Sequence, residues 1–219
     1  MDVILSFLIF MLFCVDYYYV YYNSIGNNKK LNERQKAHIM AIKSSITLSI
    51  LSVFINIKYF SSGEFDEGNT VLHLGILNLM AYFFMDCMVG RKEYNKYLLS
   101  LSGYIHHVIY IIVSIVCIKL NIILPYMLFL IEEIPTLILS LGKFNNNLRS
   151  DNLFGITFFV TRIVYHIFLI TITYKYHILF PILGTLALGV HTYWFKNWLS
   201  KYTLLFKKVI SKTSPRLQN

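Results

Sequence analysis

Seven stretches of about twenty mostly apolar residues divide the chain, and no other feature limits its fold as tightly. They run from Val3 to Tyr22, His38 to Ile57, Thr70 to Val89, Leu98 to Ile118, Ile122 to Leu141, Leu153 to Tyr174 and Ile178 to Leu199. A bilayer core about 30 Å thick needs roughly 20 apolar residues per helix. In hydrocarbon a helix satisfies its backbone polar groups within one segment. The pattern therefore predicts an all-α polytopic membrane protein with about seven transmembrane helices. Composition agrees, because 56% hydrophobic and 14% charged residues leave too little polar surface to coat a globule in water. A soluble enzyme, a secreted disulfide scaffold and a disordered tail are excluded. The first stretch reads as a span and not as a cleavable signal: it starts with Asp2, lacks a small-residue cleavage site and ends in the aromatic cluster Tyr17–Tyr22. The second is diluted by Lys43, which lies close enough to one end to snorkel.

The formal charge of +9 would suggest polyanions in a soluble protein. Here the cations sort by side. Lys29, Lys30, Arg34, Lys36, Arg91, Lys92, Lys96, Lys143, Arg149, Lys196, Lys201, Lys207, Lys208, Lys212 and Arg216 fall on one side of the alternating spans. Only Lys58, Lys119 and Lys175 fall on the other, together with the acidic Glu64, Asp66 and Glu67. By the positive-inside rule the N-terminus is luminal or external and the C-terminus cytosolic. The charge reads as topology, and no nucleic-acid partner is expected. The division expected is a first helix with its cytosolic loop (1–30), a main bundle (31–205) and a basic cytosolic tail (206–219) on the anionic leaflet. Cys14, Cys87 and Cys117 sit in apolar runs without metal-ligand or disulfide spacing, and read as small buried hydrophobes.

Ionisable side chains inside the spans need a reason, since each costs about 2.5–3.5 kcal/mol to insert at mid-bilayer. They are Asp86, His106, His107, Glu132, Glu133, Arg162, His166 and His191. At a rise of 1.5 Å per residue, His106 and His107 lie about 12–14 Å from the cytosolic end of the fourth span, and Arg162 about 14 Å into the sixth. Glu132 and Glu133 lie about 15 Å, and His191 about 20 Å, from the luminal side. Four consecutive helices thus bring ionisable groups near one level. Helical spacing gives polar stripes: Ser100, Gly103, His107, Tyr110 and Ser114; Glu133, Thr136 and Ser140, with Pro135 kinking the helix; Arg162 and His166; and Asn78, Tyr82 and Asp86.

Adjacent imidazoles can act as base, acid or acyl-accepting nucleophile, with a carboxylate fixing the tautomer. Buried in a membrane, such a pair suits acyl transfer to or from a lipid. Three plainer readings stand beside this one. Arg162 with Glu132 or Glu133 would be a structural ion pair, His166 a hydrogen-bonded core histidine, and Asp86 an interfacial anchor. Two or three His plus a carboxylate would also suit Zn or Fe, but one His-His pair among seven histidines is thin for a di-iron lipid enzyme, so no metal is expected.

At these residues the chain resembles the TLC domain family, the membrane fold of the ceramide synthases. The resemblance rests on Tyr82-Phe83-Phe84-Met85-Asp86, Gly103-Tyr104-Ile105-His106-His107, Glu133-Ile134-Pro135-Thr136, Phe159-Val160-Thr161-Arg162 and His191-Thr192-Tyr193-Trp194-Phe195, in that order over roughly Leu31 to Leu205. It implies six helices bundled around a lipid-holding cavity, plus one further helix, here the first. In ceramide synthases the histidine pair is associated with acyl transfer from acyl-CoA to a sphingoid base, with an HDxxD-type stretch following. Here the fifth span reads Glu132-Glu133-Ile134-Pro135-Thr136 and contains no HDxxD. The chain in this respect looks like the non-synthase branch, whose members are linked to membrane lipid composition. The functional expectation is a lipid-handling protein of the endoplasmic reticulum or another endomembrane, with acyl-CoA as co-substrate if it is an acyltransferase. In that reading His106 and His107 are the reactive pair, with Glu133 and Asp86 as orienting carboxylates. Arg162, His191, Tyr82 and Trp194 contact the lipid. The alternative is a non-catalytic lipid binder or regulator of membrane composition using the same cavity.

Overall fold

In a computed structural model of the chain, residues 2–28, 30–62, 69–99 and 101–213 are described, with no side chains for Leu101, Ser102 and 204–213. Lys29, Ser100, the acidic Glu64, Asp66 and Glu67, Arg216 and the side chains of Lys207, Lys208 and Lys212 therefore lie outside the described residues.

The described residues are all helical and contain no strand. In chain order the helices are α1 (Val3–Asn27), α2 (Glu33–Ser62), α3 (Thr70–Glu93), the single turn α4 (Asn95–Leu98), α5 (His106–Lys119), α6 (Ile123–Leu128), α7 (Glu133–Phe144), α8 (Asp151–Phe159), α9 (His166–Thr173) and α10 (Leu179–Thr213). Local chemistry sets several starts. Asp2 caps α1 by accepting from the amide of Ile4. Asn32 and Gln35 exchange side-chain and backbone hydrogen bonds at 3.0 and 3.1 Å, a reciprocal capping box that opens α2. Asn69 caps α3 and Ser150 caps α8.

Among the described residues, five helices are long and apolar enough to cross a membrane: α1, α2, α3, the run Ile123–Phe144 spanning α6 and α7, and Asp151–Thr173 spanning α8 and α9. The protein is thus an apolar helical bundle of the integral membrane type. The fourth stretch differs from a straight span over Leu98–Ile118. Gly103 leaves helical geometry (φ −106°, ψ −116°), and the apolar helix that follows, Gly103–Lys119, is shorter than the other spans. A Cβ on Gly103 would sit 2.2 Å from the carbonyl oxygen of Leu98, so only glycine lets the chain fold back on itself there. α4 packs beneath α3, where Leu98 lies against Gly90. Counting depth from Leu98 along one straight axis therefore does not apply to His106 and His107. α10 continues unbroken through Thr213, so the start of the basic tail is helical.

α3 is the central helix, with 14 buried residues, and α1 is peripheral with only Cys14, Tyr17 and Tyr21 buried. Tyr17 and Tyr21 are fully enclosed and pack α1 onto the core. Lys43 does not reach for a membrane surface. It forms a salt bridge with Asp16 of α1 and lies 4.1 Å from the Tyr17 ring centroid. Asp16 supplies a counter-charge inside the first span, so the lysine is neutralised between helices instead of extending to water. At one end of the bundle Lys36 pairs with Glu93 (3.2 Å), Lys96 with Glu33 (2.6 Å), and Gln35 donates to the carbonyl of Phe144 (2.9 Å). Three of the lysine- and arginine-bearing connections therefore meet on one face.

Candidate functional site

Three of the helical runs that carry ionisable groups depart from α geometry beside them. A π-helical turn, Leu101–Ile105, precedes His106 and His107. A 3-10 turn, Phe129–Glu132, precedes Glu133. A second π-helical turn, Val160–Tyr165, carries Arg162 and hands over to His166. Pro135 gives the cause at the second of these, because its ring would clash with the carbonyl of Ile131 in a continuous α-helix. Irregular backbone at membrane depth is tolerated only against protein or a cavity. These turns also re-aim side chains that an unbroken helix would stack on one face.

The polar groups separate into two clusters. In the first, His107 (5% exposed) turns toward α3, with Nδ1 3.4 Å from Asp86 Oδ2. Asp86 accepts a 2.6 Å hydrogen bond from Tyr94, and Cys87 Sγ lies 3.7 Å from the same His107 nitrogen. The rings of Tyr82 and Phe83 close the cluster. Tyr82 packs on Tyr17 and His107, outside the cavity described below, and so does not stand where a lipid-contacting residue was expected. Asn78, on the same stripe, accepts from the Tyr17 hydroxyl at 3.1 Å. That stripe faces α1 and α5, because α3 is wrapped by them. Asp86 is a buried partner of Tyr94 and His107, not an interfacial anchor.

The second cluster floors a cavity of about 410 Å³. Ile105, Ile109 and Val113 of the fourth run and Leu183, Leu186, Ala187 and Val190 of α10 form its apolar walls. Its floor holds His106, Tyr110, Glu132, Glu133, Arg162, His166, His191 and Trp194. Ile105, Ile109 and Leu186 are each about half exposed or more, so the rim lies on the apolar outer surface between the fourth run and α10.

The two neighbouring histidines thus serve different clusters. His106 packs at a tilt against Tyr110 (ring centroids 4.4 Å) at the cavity and has no hydrogen-bond partner among the described residues, while His107 is tied to Asp86. Glu133 accepts from Ser45 of α2 at 3.0 Å, so it is held by α2 and not by either of these histidines. Arg162 makes no ion pair with a carboxylate among the described residues. Its Nε and Nη2 donate to the main-chain carbonyl of Glu132 at 3.0 and 2.9 Å, and Nη2 also donates to Thr136 Oγ1 at 2.7 Å. Ser140 sits against His38 Nδ1 at 3.2 Å. The expected structural Arg–Glu pair is replaced by a clamp between side chain and backbone.

His166, read from sequence as a core histidine, is hydrogen-bonded on both sides: Nε2 donates to the carbonyl of Gly184 at 2.8 Å, and Nδ1 meets Glu132 Oε1. His191 Nε2 lies 3.7 Å from Glu132 Oε2. Glu132, His166 and His191 are all buried, and their potential ligand atoms lie within 4.8 Å of one another. The sequence offered no spacing signal for this trio, which comes from three separate helical runs. Asp16 was missed although its signal, an acid within the first apolar stretch, was present. Comparison with protein-family models, with curated proteins and with solved structures gives no match to this chain.

Proposed function

We propose that the protein receives a lipid sideways from the bilayer into the cavity between the fourth helical run and α10, and transfers an acyl group to it from an acyl thioester at the polar floor. One observation carries this reading: apolar walls rise from a floor that gathers His106, Glu133, Arg162, His166 and His191 in one enclosure. A chain in such a space keeps its methylenes out of polar contact while its head meets hydrogen-bonding groups. The seven-span count with a luminal N-terminus and cytosolic C-terminus, the TLC-type six-helix bundle and an endomembrane location belong to the same proposal. They are supported by the cation distribution and by the ordered motifs.

His106 is the reactive imidazole in this scheme, because it lines the cavity and its ring nitrogens are uncommitted. Its basic nitrogen takes the proton from an amino or hydroxyl lipid as that group attacks the carbonyl of an acyl thioester. The carbon–sulfur bond then breaks, and the proton passes to the departing thiolate. Arg162 holds the polar head. Asp86 and His107 position His106 through the short turn they anchor.

The test is reconstituted protein supplied with labelled acyl-CoA and a panel of amino and hydroxyl lipids. An acylated product is expected, and His106→Ala should lower its rate by about 10²–10⁴-fold, the usual contribution of a general base. The absence of turnover with every acceptor, alongside a co-purifying lipid, would replace transfer by storage or presentation of lipid.

A further inference from the structure

We propose that Glu132, His166 and His191 form a three-ligand site for a divalent metal ion of zinc's class, with the remaining coordination position facing the cavity. This goes beyond lipid handling and stands independently of which lipid fills the space.

Hydrogen-bond logic supplies the first argument. His166 Nε2 faces a carbonyl oxygen, which can only accept, so this nitrogen carries the proton. In the neutral ring Nδ1 is then a lone pair, yet it faces a carboxylate oxygen, a second acceptor. Two acceptors in contact in a buried site require a cation between them. A proton serves that single pair. It does nothing for His191, whose Nε2 is 3.7 Å from the other Glu132 oxygen, too far for a hydrogen bond. One metal ion serves all three groups. Ligand atoms bound at about 2.0–2.1 Å in a tetrahedron stand roughly 3.3 Å apart, close to the His191–Glu132 separation, while the closer His166–Glu132 contact has to open to admit the ion.

The surroundings supply the second. Two imidazole nitrogens and one carboxylate are a donor set characteristic of zinc sites that keep an open position. The Gly184 carbonyl fixes the ring of His166 in the orientation a ligand needs, and Arg162 pins the backbone of Glu132 from behind. Formal charge agrees as well. Glu132 and Glu133 outnumber the single guanidinium, so a cation on the floor offsets the remaining negative charge.

The test uses full-length protein purified in detergent through a tag without histidines, dialysed against a mild chelator and assayed by elemental mass spectrometry. Wild type should retain about one zinc or iron per chain. Glu132→Gln and His191→Ala should each retain at least about tenfold less, the scale on which even supporting residues alter metal affinity. Wild type without metal above buffer level, or variants retaining as much as wild type, would overturn the site. Where a variant does not fold, cobalt loaded into wild type decides. The intense visible absorption of a four-coordinate ion with nitrogen and oxygen ligands is expected, and the pale spectrum of octahedral aqueous cobalt would overturn the proposal. Lipid extracted from the same samples separates the two readings, since a metal-free chain that still carries lipid leaves the lipid cavity standing.

Discussion

The two adjacent histidines differ in what holds them. His107 is buried against Asp86, Cys87 and two aromatic rings, whereas His106 lines the cavity without a hydrogen-bond partner among the described residues. A structural loss and a chemical loss should therefore separate between neighbours. His107→Ala should lower the melting temperature more than His106→Ala, since it removes a buried ring and leaves Asp86 short of a partner, a change costing about 2–4 kcal/mol. His106→Ala should leave the fold nearly intact while lowering transfer by about 10²–10⁴-fold. Thermal unfolding in detergent beside the acyl-transfer assay checks both, and equal stability losses would contradict the division. The pair Asp16–Lys43 gives a second prediction. Asp16→Ala leaves a lysine within an apolar span and should destabilise by about 2–3 kcal/mol. Adding Lys43→Met should restore most of that, because the double change removes both charges; unfolding of the single and double variants measures it. The sequence announced these ionisable residues as costly, but not their partners. Helical spacing put His107, Tyr110 and Ser114 on one stripe, but within α5 His107 meets Asp86 of α3, Tyr110 lines the cavity and Ser114 donates to the Tyr126 hydroxyl.

At the scale of elements, apolar periodicity located the helices well. The starts of α1 and α3 coincide with the apolar stretches, and Asp151–Thr173 matches the sixth stretch to within two residues. The interruptions inside helices were less legible. Pro135 signalled one of them. The two π-helical turns contain no proline, and apolar periodicity in one segment does not encode them. Two glycines carry the consequences. Gly103→Ala would push a methyl into the backbone at Leu98 and should cost about 1–3 kcal/mol, with a displaced His106 and reduced turnover. Gly155→Ala would meet the edge of Trp198 at 2.1 Å, within the stacked aromatic ladder Phe195, Trp198 and Tyr202. That ring cannot swing away freely, so α10 should be forced off α8, with a similar cost and a wider cavity mouth. Unfolding measurements on both variants, with lipid occupancy of Gly155→Ala, test the assignment of these close contacts.

For the whole molecule, the low charged fraction resolves into two populations: cations gathered at connections, and a few ionisable groups inside the bundle. Seven crossings place the termini on opposite sides of the membrane, whereas six would place them together. On the proposed seven-span topology with a luminal N-terminus, an N-terminal tag should be protected from protease in sealed microsomes, and a C-terminal tag cleaved. The convergence of ionisable groups was visible from sequence in outline, through His106, Glu133, Arg162 and His191. Its boundary was not, because Tyr82 and His107 belong to a separate packed cluster and Glu132 with His166 supplies the deeper part of the floor. The central claim is that the cavity holds a lipid, and native mass spectrometry of protein purified in mild detergent tests it most directly. One lipid should be retained per wild-type chain and be largely lost from Ala187→Phe, which fills the wall without touching the polar floor. A wild-type chain that carries no lipid, or an Ala187→Phe chain that carries as much as wild type, would contradict the account.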